Sequence, residues 1–313
     1  MSKRQYRVRN WSEYNNALVN RGSLTFWFSE EVVEKWHESN ASGKQGHPVI
    51  YSDMAITCGL TLRCLFQLPL RATEGLLKSL IDRLELKLSC PDYTTLCKRQ
   101  KSLPVILPRS RKRKGEVTDV VFDSTGLKVF GEGEWKVRQH GYSRRRTWRK
   151  LTILLDANRQ EIITAQLSTN DCHDKELLPD LLKNIDEQLG DAAGDGGYDS
   201  HECFNMIKAK GGNPLIVPRK NAKIKQHGNS HLTPLPRDEV IRSIRKTGRK
   251  KWKVNSGYHQ RSLVETAMFR YKRLFGEHLS NHLFEHQATQ AFIACRALNL
   301  ITQMGMPDSY PIN

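Results

Sequence analysis

Apolar positions recur three to four residues apart through much of the first hundred residues and, from Val117, switch to alternation. The change of period predicts a mainly helical segment followed by sheet. Ser29 is placed to cap a helix opening with Glu30 and Glu31, and Ser52 to cap a second running to about Phe66. A third helix puts Ala72, Leu76, Leu77, Leu80, Ile81 and Leu84 on one face. Asp92 then caps the short helix of YTTLCKRQKSL, with Thr94, Thr95, Lys98, Arg99 and Lys101 available to face outward. Helices ending in a short basic one look like a helix-turn-helix-like DNA-binding domain over residues 1–103, or, more plainly, a helical bundle.

Pro104 and Pro108 bracket the start of a basic linker over 104–116 containing RSRKRK. The stretch beginning VTDVVFDSTGLKVFG, the turn GEGE and the run through RKLTILLDANRQEIITAQLS predict an antiparallel meander. DKELLPDLLKNIDEQL reads as helix, DAAGDGG as a short strand entering a glycine-rich turn, Ser200 to Lys210 as helix and PLIVPR as a buried strand. Strands followed by alternating strand and helix give an α/β layer fold with a mixed sheet over 117–313. Residues 220–257 are polar, basic and weakly periodic and are expected as an insertion or long loop. A last helix from about Glu285 to Met304 is expected to close this second domain.

Composition adds a partner. Fifty Lys and Arg against 33 Asp and Glu give a formal charge of +17, and such an excess implies a polyanion, with nucleic acid ahead of an anionic membrane. No apolar run approaches a membrane span, and MSKRQYRVRNW carries charge without the apolar core of a secretory signal. Seven cysteines with no C-x-x-C pair suit a reducing cytoplasm. Cys172-His173 and His201-x-Cys203 match no common zinc spacing and are read as ordinary local residues.

Phosphodiester chemistry needs charge neutralised at phosphorus while one oxygen is activated and another stabilised, which carboxylates holding divalent cations accomplish. Asp123 is a lone acid in an apolar strand, costly to bury without a cation. DAAGDGGYDS offers three more acids: Asp195, leaving the strand end, is preferred; Asp199 is a helix-cap candidate and Asp191 a strand start. In YHQRSLVETAMFRYK, Tyr258, Arg261, Glu265 and Lys272 fall within an arc of roughly 60° if helical. Such a stripe is either a solvated face or a third acid, Glu265, set among phosphate-binding side chains. KTGRKKWK, with Lys250, Lys251 and Trp252, offers cations and an aromatic able to stack on an unpaired base, or else a charged flexible loop.

The spacing Tyr258, Arg261, Glu265, Lys272 resembles the Tyr-Arg-Glu-Lys signature of bacterial insertion-sequence transposases of the DDE type. DSTGLKVFGEGEWK around Asp123 and GDGGYDS around Asp195 look like that family's other acidic blocks. RGSLTFWFSEE and CPDYTTLCKR are similar to the insertion-sequence-five family in particular, so the likeness covers nearly the whole chain. Gly196 departs from it, standing where many relatives carry a basic residue. The resemblance implies a ribonuclease-H-like catalytic domain, with Asp123, Asp195 and Glu265 as catalytic and metal-binding triad for Mg²⁺, for which Mn²⁺ can substitute. It implies cleavage at terminal inverted repeats and transfer of the 3′-hydroxyl to target DNA. Tyr258, Arg261, Lys272, Lys98, Arg99, Arg144, Arg145, Arg146, Lys250, Lys251 and Trp252 are expected along double-stranded DNA. A homodimer on the bacterial nucleoid, in the cytoplasm and away from membranes, follows from pairing two ends. A non-catalytic repressor and a structure-selective nuclease or resolvase are the alternatives.

Overall fold

The computed structural model describes residues 5–38, 49–111, 116–129, 139, 147–183, 185–227 and 232–312. The chain divides into two compact units, Met1–Pro108 with Asn281–Asn313, and Arg109–Ser280.

In the first unit a short strand β1 (Gln5–Val8) leads into helices α1 (Trp11–Asn20), α2 (Leu24–Trp27), α3 (Glu30–Glu34), α4 (Asp53–Leu65), α5 (Leu70–Arg83) and α6 (Tyr93–Arg99). Ser52 and Asp92 cap α4 and α6 as the sequence predicts, accepting the amide N–H of Ala55 at 3.1 Å and of Thr95 at 2.6 Å. Ser29 makes no such side-chain bond to α3. On α5 the core face is Thr73, Leu77, Leu80 and Ile81, while Leu84 and Ala72 are exposed. Gly59 lets α4 approach its neighbours, since an added Cβ would lie 3.1 Å from Leu77 and 3.2 Å from Leu96.

The second unit is built on a mixed sheet. Its strands are β2 (Thr118–Val129), β3 (Thr147–Asp156), β4 (Ile162–Thr169), β5 (Leu189–Gly194) and β6 (Asn213–Ile216), in the order β4-β3-β2-β5-β6, with β7 (His278–Leu279) pairing the far end of β2. β2, β3 and β4 are antiparallel neighbours, whereas β5 runs parallel to β2 and β6 parallel to β5. Helices α7 (Asp174–Lys183) and α8 (His201–Ala209) supply Leu178, Leu181, Leu182, Phe204 and Ile207 to one sheet face, against Val120, Phe122, Leu154 and Ile216.

Residues 220–257 are not a long loop. They hold helices α9 (Pro236–Thr247) and α10 (Arg249–Asn255). Pro236 opens α9, Asp238 and Glu239 follow in its first turn and Arg245 and Lys246 in its last, an arrangement that suits both termini. Asp238, fully buried, accepts the N–H groups of Lys225 and Gln226 and so anchors the preceding loop. Helix α11 (Ser262–Phe275) then packs across β2 and β3, burying Val264, Ala267, Met268 and Tyr271.

The last helix, α12 (Phe284–Met304), forms where its pattern predicts but does not close the sheet-bearing unit. It packs on α4 in the first unit, where Thr289 Oγ1 donates to Gln100 O at 2.6 Å and Asn299 Nδ2 to Pro108 O at 2.9 Å. β8 (Ser309–Ile312) finishes the unit by pairing antiparallel with β1. The expected span 117–313 for the second domain therefore differs from the compact packing, because periodicity reports which face of a helix is apolar and not what covers it.

Candidate active site

Strand register brings two of the expected acids together. β2 and β5 are parallel, with Val121 opposite Ala193, and side chains alternate along each strand. Asp123 and Asp195, each two residues further on, emerge side by side on the same face. Asp195 lies just past β5, with φ −78° and ψ 179°, extended backbone that carries the alternation one step beyond the ladder. The small residues before it are a packing requirement: a Cβ on Gly194 would stand 2.1 Å from the Phe122 ring. Asp195 Oδ1 accepts the Gly197 N–H at 2.7 Å and caps a 3₁₀ turn over Gly196–Tyr198.

Tyr198 locks that turn to β2 from the other sheet face. Its ring meets Phe122 edge-on, centroids 4.7 Å apart, and its hydroxyl pairs with Ser124 at 3.2 Å, which in turn pairs with Thr152 at 2.9 Å. Burial pushes the Tyr198 phenol well above its ordinary range, so it stays neutral. The other acids of DAAGDGGYDS are engaged elsewhere. Asp191 accepts from Asn213 Nδ2 at 2.9 Å. Asp199 takes a two-pronged ion pair from Arg237 of α9, at 2.6 and 3.0 Å, plus the Arg219 N–H at 3.0 Å.

The third acid arrives through an arginine. Tyr258–Arg261 form a 3₁₀ turn that runs directly into α11, whose first turn carries Glu265. Arg261 Nη1 donates to Asp123 Oδ2 at 3.1 Å, and its other terminal nitrogen donates to Glu265 Oε1. A residue 138 positions from Asp123 thus joins it to Glu265. Burial raises the Asp123 carboxyl to about 6; the Ser124 N–H opposes this, the Asp195 charge adds to it, Arg261 opposes it and Glu265 adds again. Burial, with the nearby Asp195, Asp123 and Glu265 charges, also raises the Tyr258 phenol, against the pull of Arg261. Partial burial works against the charge on Arg261, but Glu265, Tyr258 and Asp123 outweigh it and hold the guanidinium more firmly protonated.

Three carboxylates without sulfur or imidazole form the hard-oxygen donor set that suits Mg²⁺. Among the described residues no three His, Cys, Asp or Glu side chains are already set to hold one ion. Asp123 and Glu265 instead share a guanidinium, which supplies the positive charge between them. The donor set fits a divalent cation on condition that Arg261 gives up its place. The Cys203 thiol is buried and faces the Lys175 carbonyl at 3.5 Å, and Cys172 Sγ lies 3.7 Å from the Thr169 hydroxyl.

The expected DNA-contact residues divide. Lys98, Lys250 and Lys251 are exposed, and Lys272 is half-buried, its charge felt at Glu277. Arg99 is not free for phosphate: it donates to the Tyr51 carbonyl at 2.7 Å and pairs with Asp53, holding α6 to the start of α4. Trp252, expected to offer its face to a base, is 7 % exposed with its ring beside Tyr258, because α10 turns it inward. Arg144, Arg145 and Arg146 lie outside the described residues. Sequence reasoning missed Tyr198 and Arg237 as supports of the acidic turn; no local signal marks either, since both partners lie far along the chain.

Two family models match the chain, each described as a transposase DDE domain, one over residues 19–132 and one over 116–300, the latter more than half of its length. The mixed sheet flanked by helices, with a helical segment before it, is consistent with the ribonuclease-H-like fold of such enzymes. No helix among the described residues is long and apolar enough to cross a membrane.

Proposed function

We propose, for a chain that belongs to the DDE transposase family, that it cuts the terminal inverted repeats of an insertion sequence by metal-dependent hydrolysis and transfers the freed 3′ ends to target DNA. Asp123, Asp195 and Glu265 act as its triad, and the element belongs to the insertion-sequence-five group. One observation carries the reading: the β2/β5 register sets Asp123 beside Asp195, and Arg261 ties Asp123 to Glu265. The three acids would hold Mg²⁺, with Mn²⁺ as substitute, which would supply Lewis acidity to activate the attacking oxygen and offset the charge developing on the leaving one.

The remaining work falls to this chain's own side chains. Asp123, about 6 in the absence of a cation, is ionised at neutral pH and ready to bind. Arg261 exchanges its two carboxylates for phosphate oxygens, a two-pronged fit its planar fork allows. Tyr258 stays protonated and can donate a hydrogen bond to the reacting strand, while Lys272, Lys250 and Lys251 neutralise phosphates further along double-stranded DNA. Two ends are paired by a homodimer in the reducing cytoplasm, which accords with all seven cysteines being unpaired.

The test is incubation with the terminal repeats flanking the coding sequence and Mg²⁺, reading nicked and joined products. Asp123→Ala, Asp195→Ala and Glu265→Ala are each expected to abolish both products while binding to the repeat persists. Binding without any product from the unaltered chain would indicate a repressor. Cutting of branched DNA without joining would indicate a resolvase.

A further inference from the structure

The aromatic that the sequence offered for base stacking, Trp252, is buried, yet another aromatic stands beside the acids. Phe269 is 69 % exposed and is the one exposed aromatic side chain among the described residues of Arg109–Ser280. It follows Glu265 by four residues and precedes Lys272 by three, so all three lie on one face of α11, within roughly 60° of one another. Exposed Arg273 comes four residues later, and Arg261 stands one turn before Glu265. The opposite face of α11 buries Val264, Ala267, Met268 and Tyr271, so the core does not require Phe269. Helix propensity does not require it either, because Leu, Lys or Gln would serve an exposed helix position better.

We infer that Phe269 is the residue on which a base at the reacting DNA end stacks once its terminal pair opens. The inference rests on the transposase reading above. A strand whose phosphate is drawn to Arg261 and Lys272, on either side of Glu265, lays its nearest base against the ring one turn along. An opened base has lost one stacking neighbour, and a bare aromatic face replaces it without regard to sequence. The flanking cations match a phosphate backbone and would oppose docking of a second, equally basic copy of this chain. Phe269 is thus a positioning residue: it holds the strand at the site and takes no part in bond making.

The experiment uses the full chain and a duplex carrying the terminal repeat, with 2-aminopurine placed at one position at a time around the cut and Ca²⁺ replacing Mg²⁺ to keep the complex uncut. Stacking is expected to change the emission at one or two positions only. Phe269→Ala should lose that change, weaken binding of the end by roughly tenfold and slow nicking in Mg²⁺, with its melting temperature unaltered. Phe269→Trp should restore the signal and Phe269→Leu should not, which separates stacking from apolar packing. An unchanged signal in Phe269→Ala, or full rescue by Leu, overturns the inference. So does a shift in oligomeric state by light scattering without a fluorescence change, which would assign Phe269 to a contact between copies. Failure of the unaltered chain to nick the repeat in Mg²⁺ would overturn the transposase reading itself.

Discussion

Replacing Arg261 with Gln separates its observed place as counter-charge between Asp123 and Glu265 from its proposed role as phosphate ligand. Asp123 and Arg261 are 20 % and 22 % exposed, so water replaces their hydrogen bond poorly, whereas Glu265 at 51 % exposure is readily solvated. Loss of a charged hydrogen bond at the Asp123 end costs about 1.5–3 kcal/mol. The Glu265 end adds about 1 kcal/mol or less. Metal-free Arg261→Gln should therefore melt roughly 3–12 °C below the unaltered chain. On the proposed function a divalent cation displaces the guanidinium from Asp123 to bind, so the same 1.5–3 kcal/mol should weaken metal binding to the unaltered chain by about ten- to a hundredfold. The variant should accordingly bind Mn²⁺ more tightly in the absence of DNA, measured from the electron paramagnetic resonance of free Mn²⁺. Its affinity for DNA ends should fall, and its salt dependence should become shallower by about one phosphate. Equal melting temperatures with unchanged or weaker Mn²⁺ binding would refute the idea that Arg261 holds the place of a cation.

Three further outcomes follow from the same geometry. Asp123 carries a carboxyl raised from 3.8 to about 6, so between those values the unfolded chain has lost a proton that the folded chain keeps, and stability falls as pH rises through the window. Asp123→Asn should remove that penalty, giving metal-free protein up to about 3 kcal/mol more stable than the unaltered chain at pH 7 and equal to it near pH 4 in denaturant titrations; a constant difference across pH would contradict the burial argument. Asp199→Ala leaves Arg237 unpaired at a site where the acid's side chain is 1 % exposed, and should lower stability by about 3–5 kcal/mol with little change in Mn²⁺ affinity, while Asp195→Asn should show the reverse pattern. Gly196→Lys should fold normally, since an added Cβ meets only the Val217 carbonyl at 3.4 Å. It should steepen the slope of log K against log salt for DNA binding by about 0.9.

The candidate acids stand out in the sequence because their signals are local. Asp123 is a lone charge in an alternating apolar run, and Asp195 leaves a strand of such small residues that its neighbours cannot hide it. Asp199 and Asp191, the other two acids of that segment, take partners in Arg237 and Asn213. What sequence could not give is set by distant pairing. Arg261 reads as a phosphate ligand from its stripe, and only folding places Asp123 against it. Arg99 reads as an outward cation until Asp53 is brought beside it. Residues 236–255 carried usable helix signals, Pro at the start, acids in the first turn and Val240, Ile241 and Ile244 on one face, but their polar composition masked them. The inward turn of Trp252 follows from that helix. Phe269 passed unnoticed because an isolated exposed aromatic is unremarkable until its neighbour is known to be Glu265.

The claim on which the rest depends is that Asp123, Asp195 and Glu265 bind divalent cations in common once Arg261 has moved. Anomalous diffraction at the manganese edge, from crystals of the full chain grown with Mn²⁺ and a duplex carrying the terminal repeat, tests it directly. The expected map has manganese within coordination distance of all three carboxylates and Arg261 on a phosphate. Manganese bound elsewhere, or a guanidinium still seated between Asp123 and Glu265 with the DNA in place, would contradict it.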